Sequence, residues 1–348
     1  MASIYKTLNA NDITTVKDLL HESIPMTGSM ISSSAHMDRI VKTYEYDYFE
    51  SVYDYPYLSS SANHIFDLTA GISINSPLSG AAVAAGLDPI YNEMAQLLVG
   101  FNEGNLGEFD RDGDLSGGDQ LREVFMISFA RLLTKDEIKK QSFTIQVLTG
   151  GTVSAPDSLL TISDYNALSQ YKINSPAGEY GILYSGSAAT PGTGVGLIYY
   201  QAGIAVLTAS LFDGGAPNYI GPNGANNSVA ADNYDTSVQL FSSGSISGSA
   251  DAFRNRLYNI SFNNTIEINS TIYFCRANNN EFNYSSNPTY LSESKMVTRN
   301  DPETNPLSFI TGVGLYSADG ELLAVSKLSH PLEKNPTDEI VLRVRLDY

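Results

Sequence analysis

The sequence predicts an α+β fold, predominantly antiparallel β and sandwich-like in the C-terminal two thirds, with a few helices in the N-terminal third. Three observations carry this. Apolar and polar residues alternate along several segments after Phe143. Helical spacing of apolar residues is confined to two segments before Gly100. Clusters of Gly, Asn and Ser punctuate the second half. The chain reads as a mixed α/β domain over 1–142 and a β-rich domain over 143–348, the latter with a Gly/Asn/Ser-rich surface excursion at 213–248.

The elements follow in order. Asn11 or Asp12 caps an expected helix whose stripe is Ile13, Val16, Leu19 and Leu20, with Pro25 ending it. Asp88-Pro89 opens a second, running to about Gly100, with Ile90, Met94, Leu97 and Leu98 as its stripe. Leu121 to Leu133 is apolar throughout, and periodicity does not decide between strand and buried helix. Lys135 to Lys140 reads as a solvated, charged connection. Phe143, Ile145 and Val147 mark a strand, and 194–200 with 204–208 form two strands around a Gly-containing bend. Tyr258 to Phe262 and Ile266 to Phe274 are expected as a hairpin. A three-residue turn, Asn263 to Thr265, keeps Phe262 opposite Ile266, although the β-branched Thr265 suits such a turn poorly. Ala318-Asp319-Gly320 signals a hairpin between Phe309–Tyr316 and Glu321–Leu328. The last strand, 340–347, is either paired inside a sheet or offered to a neighbour as an edge.

Composition narrows the function. With 20 Lys plus Arg against 38 Asp plus Glu, the net charge of -18 argues against nucleic acid as a partner. No apolar run reaches the ~18 residues of a membrane span. The first residues lack the pattern of a signal peptide, and the single cysteine, Cys275, excludes an intrachain disulfide, so a reducing cytosolic setting is expected. Four scattered histidines show no metal-ligand spacing, and no nucleophile elbow, phosphate loop or dinucleotide fingerprint stands in a fitting context. The chain is read as a non-enzyme without a resident cofactor.

Two patterns remain as candidate sites. Tyr44, Tyr46, Tyr48, Tyr53, Tyr55 and Tyr57 alternate with acids, which marks either a contact surface or a half-buried extended segment. Arg343 and Arg345 on the last strand are further interface candidates. Glu108, Asp110, Asp112, Asp114, Ser116 and Asp119 place oxygen ligands around Gly113 much as a calcium loop of the EF-hand type does. The plainer alternative is a hairpin turn built on Asp112-Gly113, with its acids solvated.

Three stretches carry a likeness. They are Gly196 to Thr208 (GLIYYQAGIAVLT), Phe253 to Phe262 (FRNRLYNISF) continuing through Ile272 to Asn278 and Phe282 to Tyr290, and Val313-Gly-Leu-Tyr316 with Gly320-Glu-Leu-Leu-Ala-Val325. Together they resemble virion structural proteins of large contractile-tailed bacteriophages, notably those of marine cyanophages and their relatives. The last stretch is also similar to a hairpin of tail-collar fibre proteins. The resemblance implies a component of the tail, baseplate or neck, assembled in the host cytoplasm, with other virion proteins and copies of itself as partners. It implies no catalytic residues. The alternative reading is an adhesin or carbohydrate-binding module, with calcium assisting; a polysaccharide depolymerase ranks third.

Overall fold

The computed structural model describes residues 5–27, 41–45, 48–54, 63–80, 86–102, 104–115, 117–118, 120–152, 155–186, 193–212, 240–242, 246–283, 291–292, 295–296 and 307–348. The first half holds strands β1 (Ile13–Thr27), β2 (Val41–Glu45), β3 (Glu50–Asp54) and β4 (Asn63–Ile72), then helix α1 (Leu87–Leu98). There follow β5 (Phe109–Asp110), β6 (Gln120–Leu121), β7 (Glu123–Phe129), β8 (Glu137–Ile138), β9 (Thr144–Thr152) and β10 (Ala155–Ser163). The second half adds β11 (Tyr180–Ser185), β12 (Gly194–Tyr199), β13 (Ile204–Thr208), helix α2 (Ile246–Arg254) and β14 (Leu257–Ala277). The chain closes with β15 (Ser308–Tyr316), β16 (Leu322–Lys334) and β17 (Ile340–Asp347). The chain divides into a larger compact unit, Leu20–Ile266, and a smaller one, Met1–Leu19 with Glu267–Tyr348. The boundary falls inside β1 and β14.

In the larger unit the hydrogen-bonded order is β14-β9-β10-β11-β12-β13-β7-β4-β3-β2, with β8 also on β14. The pairings from β9 to β13 are antiparallel, as are β13–β7, β7–β4, β4–β3 and β3–β2. Side chains alternate across a strand, so one β7 run serves two cores. Phe125 and Ile127 enter a cluster with Phe66, Phe143, Phe253 and Phe262, while Val124 and Met126 enter another with Tyr91, Phe109, Tyr180 and Tyr199. Helix α2 contributes Ala250 and Phe253 to the first cluster, and α1 contributes Tyr91 and Ala95 to the second. These strands form one large sheet covered on both faces, and Phe129 of β7 lies 5.2 Å from Phe262 of β14 although five strands stand between them in the order. Unbroken burial along Ile204–Thr208 is the signature of that two-sided cover.

Three expectations are corrected. Strands occupy the N-terminal third as well, and the first expected helix is strand β1. Only a single 3₁₀ turn, Ala10–Asp12, precedes it, closed by the Asn9 N–H donating to Asp12 Oδ2 at 3.2 Å. The β-branched run Ile13-Thr14-Thr15-Val16 favours extended backbone, and the presumed stripe meets no core: Ile13, Val16, Leu19 and Leu20 are all exposed. The expected turn at Asn263 to Thr265 is the middle of β14, which runs 21 residues without a break. Neighbouring segments occupy its polar groups. Asn264 is fully buried, donates from Nδ2 to the Leu133 carbonyl (2.8 Å) and accepts the Glu22 N–H (3.1 Å). Thr265 pairs with Glu137 of β8, so the connection 135–140 is part of the sheet, with Ile138 fully buried, and not a solvated run.

Other expectations hold. Helix α1 ends before Gly100, whose φ of +82° stops it, although its buried face is Leu87, Tyr91, Ala95 and Leu98, one residue round from the expected stripe. Phe143, Ile145 and Val147 are fully buried. β12 and β13 form a hairpin with Tyr199 opposite Ile204, and β15 and β16 form one around Gly320 at φ +83°. Among the described residues no helix is long and apolar enough to cross a membrane.

In the smaller unit β17 pairs antiparallel with β14, from Ser270↔Asp347 to Ala277↔Ile340. Cys275 lies half-buried in that ladder, opposite Leu342. The base of the β15–β16 hairpin is held by polar groups. The fully buried Lys334 ammonium donates to Asn283 Oδ1 and the Asn335 carbonyl, each at 2.7 Å, and Ser308 Oγ donates to the Phe282 carbonyl.

Candidate functional site

The acidic segment is the 111–119 connection of the β5–β6 hairpin, with Phe109 opposite Leu121 and Asp110 opposite Gln120. Strands flank it where an EF-hand has helices. Asp110 is buried and organises the loop: its Oδ2 accepts the Leu115 N–H at 2.6 Å, and Asp112 Oδ1 accepts the Asp114 N–H at 3.1 Å. Leu115 at φ +60° and Gly113 at φ +71° complete the tight path. The Gly113 carbonyl accepts from Asn174 Nδ2 (3.1 Å), and the Tyr180 hydroxyl donates to Asn174 Oδ1 (2.8 Å). Gly194 of β12 lies under the loop, where a Cβ would stand 2.3 Å from the Arg111 carbonyl oxygen.

Asp110, Asp112 and Asp114 bring carboxylate oxygens within 4.8 Å of one another. Burial pushes Asp110 up to about 6, and the adjoining Asp112 carboxyl adds to the rise. Glu108 turns its carboxylate to Ser73, to Asn75 Nδ2 at 3.2 Å and to Arg122 Nε at 3.6 Å. Ser116 and Asp119 lie outside the described residues. Next to the loop is an open cleft of about 550 Å³, lined among others by Asn75, Phe101, Glu108, Asp110, Gln120 and Asn174. An all-oxygen donor set of this kind suits a hard cation such as calcium. Amides, carboxylates and the exposed Phe101 ring in one cleft suit a polyhydroxylated ligand.

Of the tyrosines, Tyr44 lies on β2, Tyr48 is exposed, and Tyr53 of β3 packs its ring 5.2 Å from that of His64. Tyr46, Tyr55 and Tyr57 lie outside the described residues. Arg345 donates to Asp18 Oδ2 and to Asp347 Oδ1, each at 2.6 Å, and Arg343 is exposed.

Three groupings have no signal in the sequence. His64 Nε2 and Ser51 Oγ both bond Asp67 Oδ1, at 2.8 and 2.5 Å. The carboxylate therefore stands in the middle, whereas nucleophile activation needs the ring between serine and carboxylate. Asp164 is buried and accepts from the Gln141 N–H (2.6 Å), the Phe143 N–H (3.0 Å) and the Tyr200 hydroxyl (2.9 Å). Burial pushes its carboxyl up to about 6.

The third grouping is the surface of the smaller unit. Fourteen of the 26 exposed large apolar side chains among the described residues belong to it, including Phe309, Tyr316, Leu322, Leu323 and Val325 of the β15–β16 hairpin. Among its described residues the buried apolar ones are only Ile272 and Ala277, and neither hydrophobic cluster names a residue of this unit. No signal short of the fold separates these side chains from core residues, because strand alternation reads the same whichever partner covers the apolar face.

Comparison with protein-family models, with curated proteins and with solved structures finds no match to this chain.

Proposed function

We propose that the chain is a structural component of a tailed-phage virion, in the tail, baseplate or neck, and that it works through protein–protein contacts and not by catalysis. One observation carries this reading: among its described residues, a strand-built unit exposes fourteen large apolar side chains and buries only two apolar ones. A two-stranded hairpin such as β15–β16 is marginal in water without a covering surface. Exposed apolar area of this extent marks an interaction site. The segments that resemble phage virion proteins include both strands of that hairpin, Val313–Tyr316 and Gly320–Val325. Assembly in the host cytoplasm accords with a chain that has a single cysteine. Mass spectrometry of purified particles, followed by immunolabelling of intact virions, tests the proposal. The expected result is the chain at fixed copy number on the tail or neck, and its absence from particles refutes the reading.

A second reading rests on the cleft beside Asp110, Asp112 and Asp114. There the chain is a carbohydrate-binding module that uses calcium to order the 111–119 loop. A glycan array with and without chelator tests it; this reading expects chelator-sensitive glycan binding, and no glycan bound in either condition removes it.

A further inference from the structure

We infer that the smaller unit is covered by the same unit of a second copy of this chain, so that the protein is an obligate homo-oligomer joined through its C-terminal strands. The inference rests on the assembly reading above and deepens it by naming the first partner.

Area is the first argument. The fourteen exposed apolar side chains of this unit are each between 36% and 72% open. At ~150–200 Å² for a fully open large side chain, they offer on the order of 1,000 Å² per copy. A stable interface needs about 800 Å² from each partner. Strand alternation divides these side chains between two faces, as with Leu322 and Leu323, so one face offers roughly 500 Å², near the ~60% apolar share of such an interface.

Charge selects the occupant. The 101 residues of the unit hold nine Lys and Arg against thirteen Asp and Glu, a net of -4, and the remaining 247 hold eleven against twenty-five, a net of -14. A foreign partner chosen by charge would be basic and would seek the acidic remainder. Copies of so acidic a chain repel one another over most of their surface, and the repulsion is least where the signs are mixed. They are mixed here. Lys6–Glu281, Lys17–Glu267, Arg276–Asp12 and Arg345–Asp18 all join opposite charges inside this unit. The same patch can therefore face itself across a symmetry axis without opposing a block of like charge.

Backbone chemistry supplies the third argument. Among the described residues, β17 pairs with β14 on one edge and with no strand on the other. Its outward N–H and C=O groups form a template for another strand. Val341, Leu346 and Tyr348 stand exposed along it, no proline interrupts it, and of its three charged residues Arg345 and Asp347 pair with each other.

The test is light scattering on the full chain after size exclusion, at ~20 μM, comparing wild type with the Leu323→Glu/Val325→Lys variant. Wild type is expected at two or more times 37.6 kDa. The variant is expected at one times that mass, with the cooperative urea unfolding of the wild type retained, which shows that it folds. A wild type of 37.6 kDa overturns the inference, as does a folded variant that keeps the wild-type mass. Either result leaves the assembly reading standing, with a foreign protein over the smaller unit. Absence from purified particles does the reverse, removing that reading while leaving a measured oligomer intact.

Discussion

Arg254 donates from Nε to Oε1 of Glu50 across 2.8 Å, with both side chains all but sealed from solvent. The pair ties α2 to β3, two elements 204 residues apart in sequence. Burying two charges costs several kcal/mol, and the pair is retained because removing one partner costs more. Arg254→Ala or Glu50→Ala is therefore expected to lower unfolding free energy by about 3–5 kcal/mol. The paired Glu50→Leu/Arg254→Met replacement is expected to recover most of that loss. Urea unfolding of the three variants checks the cycle; recovery of less than half would show that the charges themselves are required.

Asp164 gives the larger unit an unusual pH response. Its folded value of about 6 lies above the ordinary 3.8, so the folded state holds the proton more tightly than the unfolded one. The resulting stability is fully present below about pH 4 and is lost as pH rises through 6. Between pH 7 and pH 5 this one group should add about 1 kcal/mol to stability. Asp110, also raised to about 6, acts in the same direction. Urea midpoints at the two pH values should show the rise, and Asp164→Asn should remove about half of it, leaving the share that Asp110 carries.

Gly194 sets the height of the acidic loop. A methyl group there would meet the Arg111 carbonyl at 2.3 Å, and the backbone on both sides is held by pairing. Gly194→Ala is expected to displace residues 111–115 and to cost about 1–3 kcal/mol through overpacking. Amide exchange should quicken at Leu115 and Asp114 while the β12–β13 ladder stays protected.

Lys334 is expected to govern the hairpin alone. Lys334→Ala leaves Asn283 Oδ1 and two carbonyls without their donor, in a site closed to solvent. Each such loss is worth about 1–3 kcal/mol. Limited proteolysis should cut within 308–334 at least tenfold faster, with unchanged melting of the larger unit.

How much of this was legible in the sequence depends on whether a residue's partners are near in sequence. Helix α1, strand β9 and the β12–β13 and β15–β16 hairpins declare themselves through local spacing and glycine placement. The Asn263–Thr265 turn misled because asparagines usually mark turns; here Leu133 and Glu22 satisfy Asn264 from far away in the chain. β1 misled because its apolar residues sit at helical intervals, yet they face outward and fit no internal core. Carboxylates 110, 112 and 114 were legible as a group, since a hairpin connection keeps neighbours together. Glu108 left that group for Ser73, Asn75 and Arg122, contacts the sequence does not show. The Asp164 and Glu50–Arg254 sites were invisible for the same reason.

The lone thiol turns one register into a stopwatch. Cys275 faces Leu342 across the final ladder, and burial, with Asp12 behind it, holds the sulfur above its ordinary value. A thiol-alkylating reagent has a single target in this sequence, half-buried in the closed ladder and fully open once β17 peels back. The rate of that one modification, followed at rising protein concentration, would time how often the tail end lets go and whether company slows it.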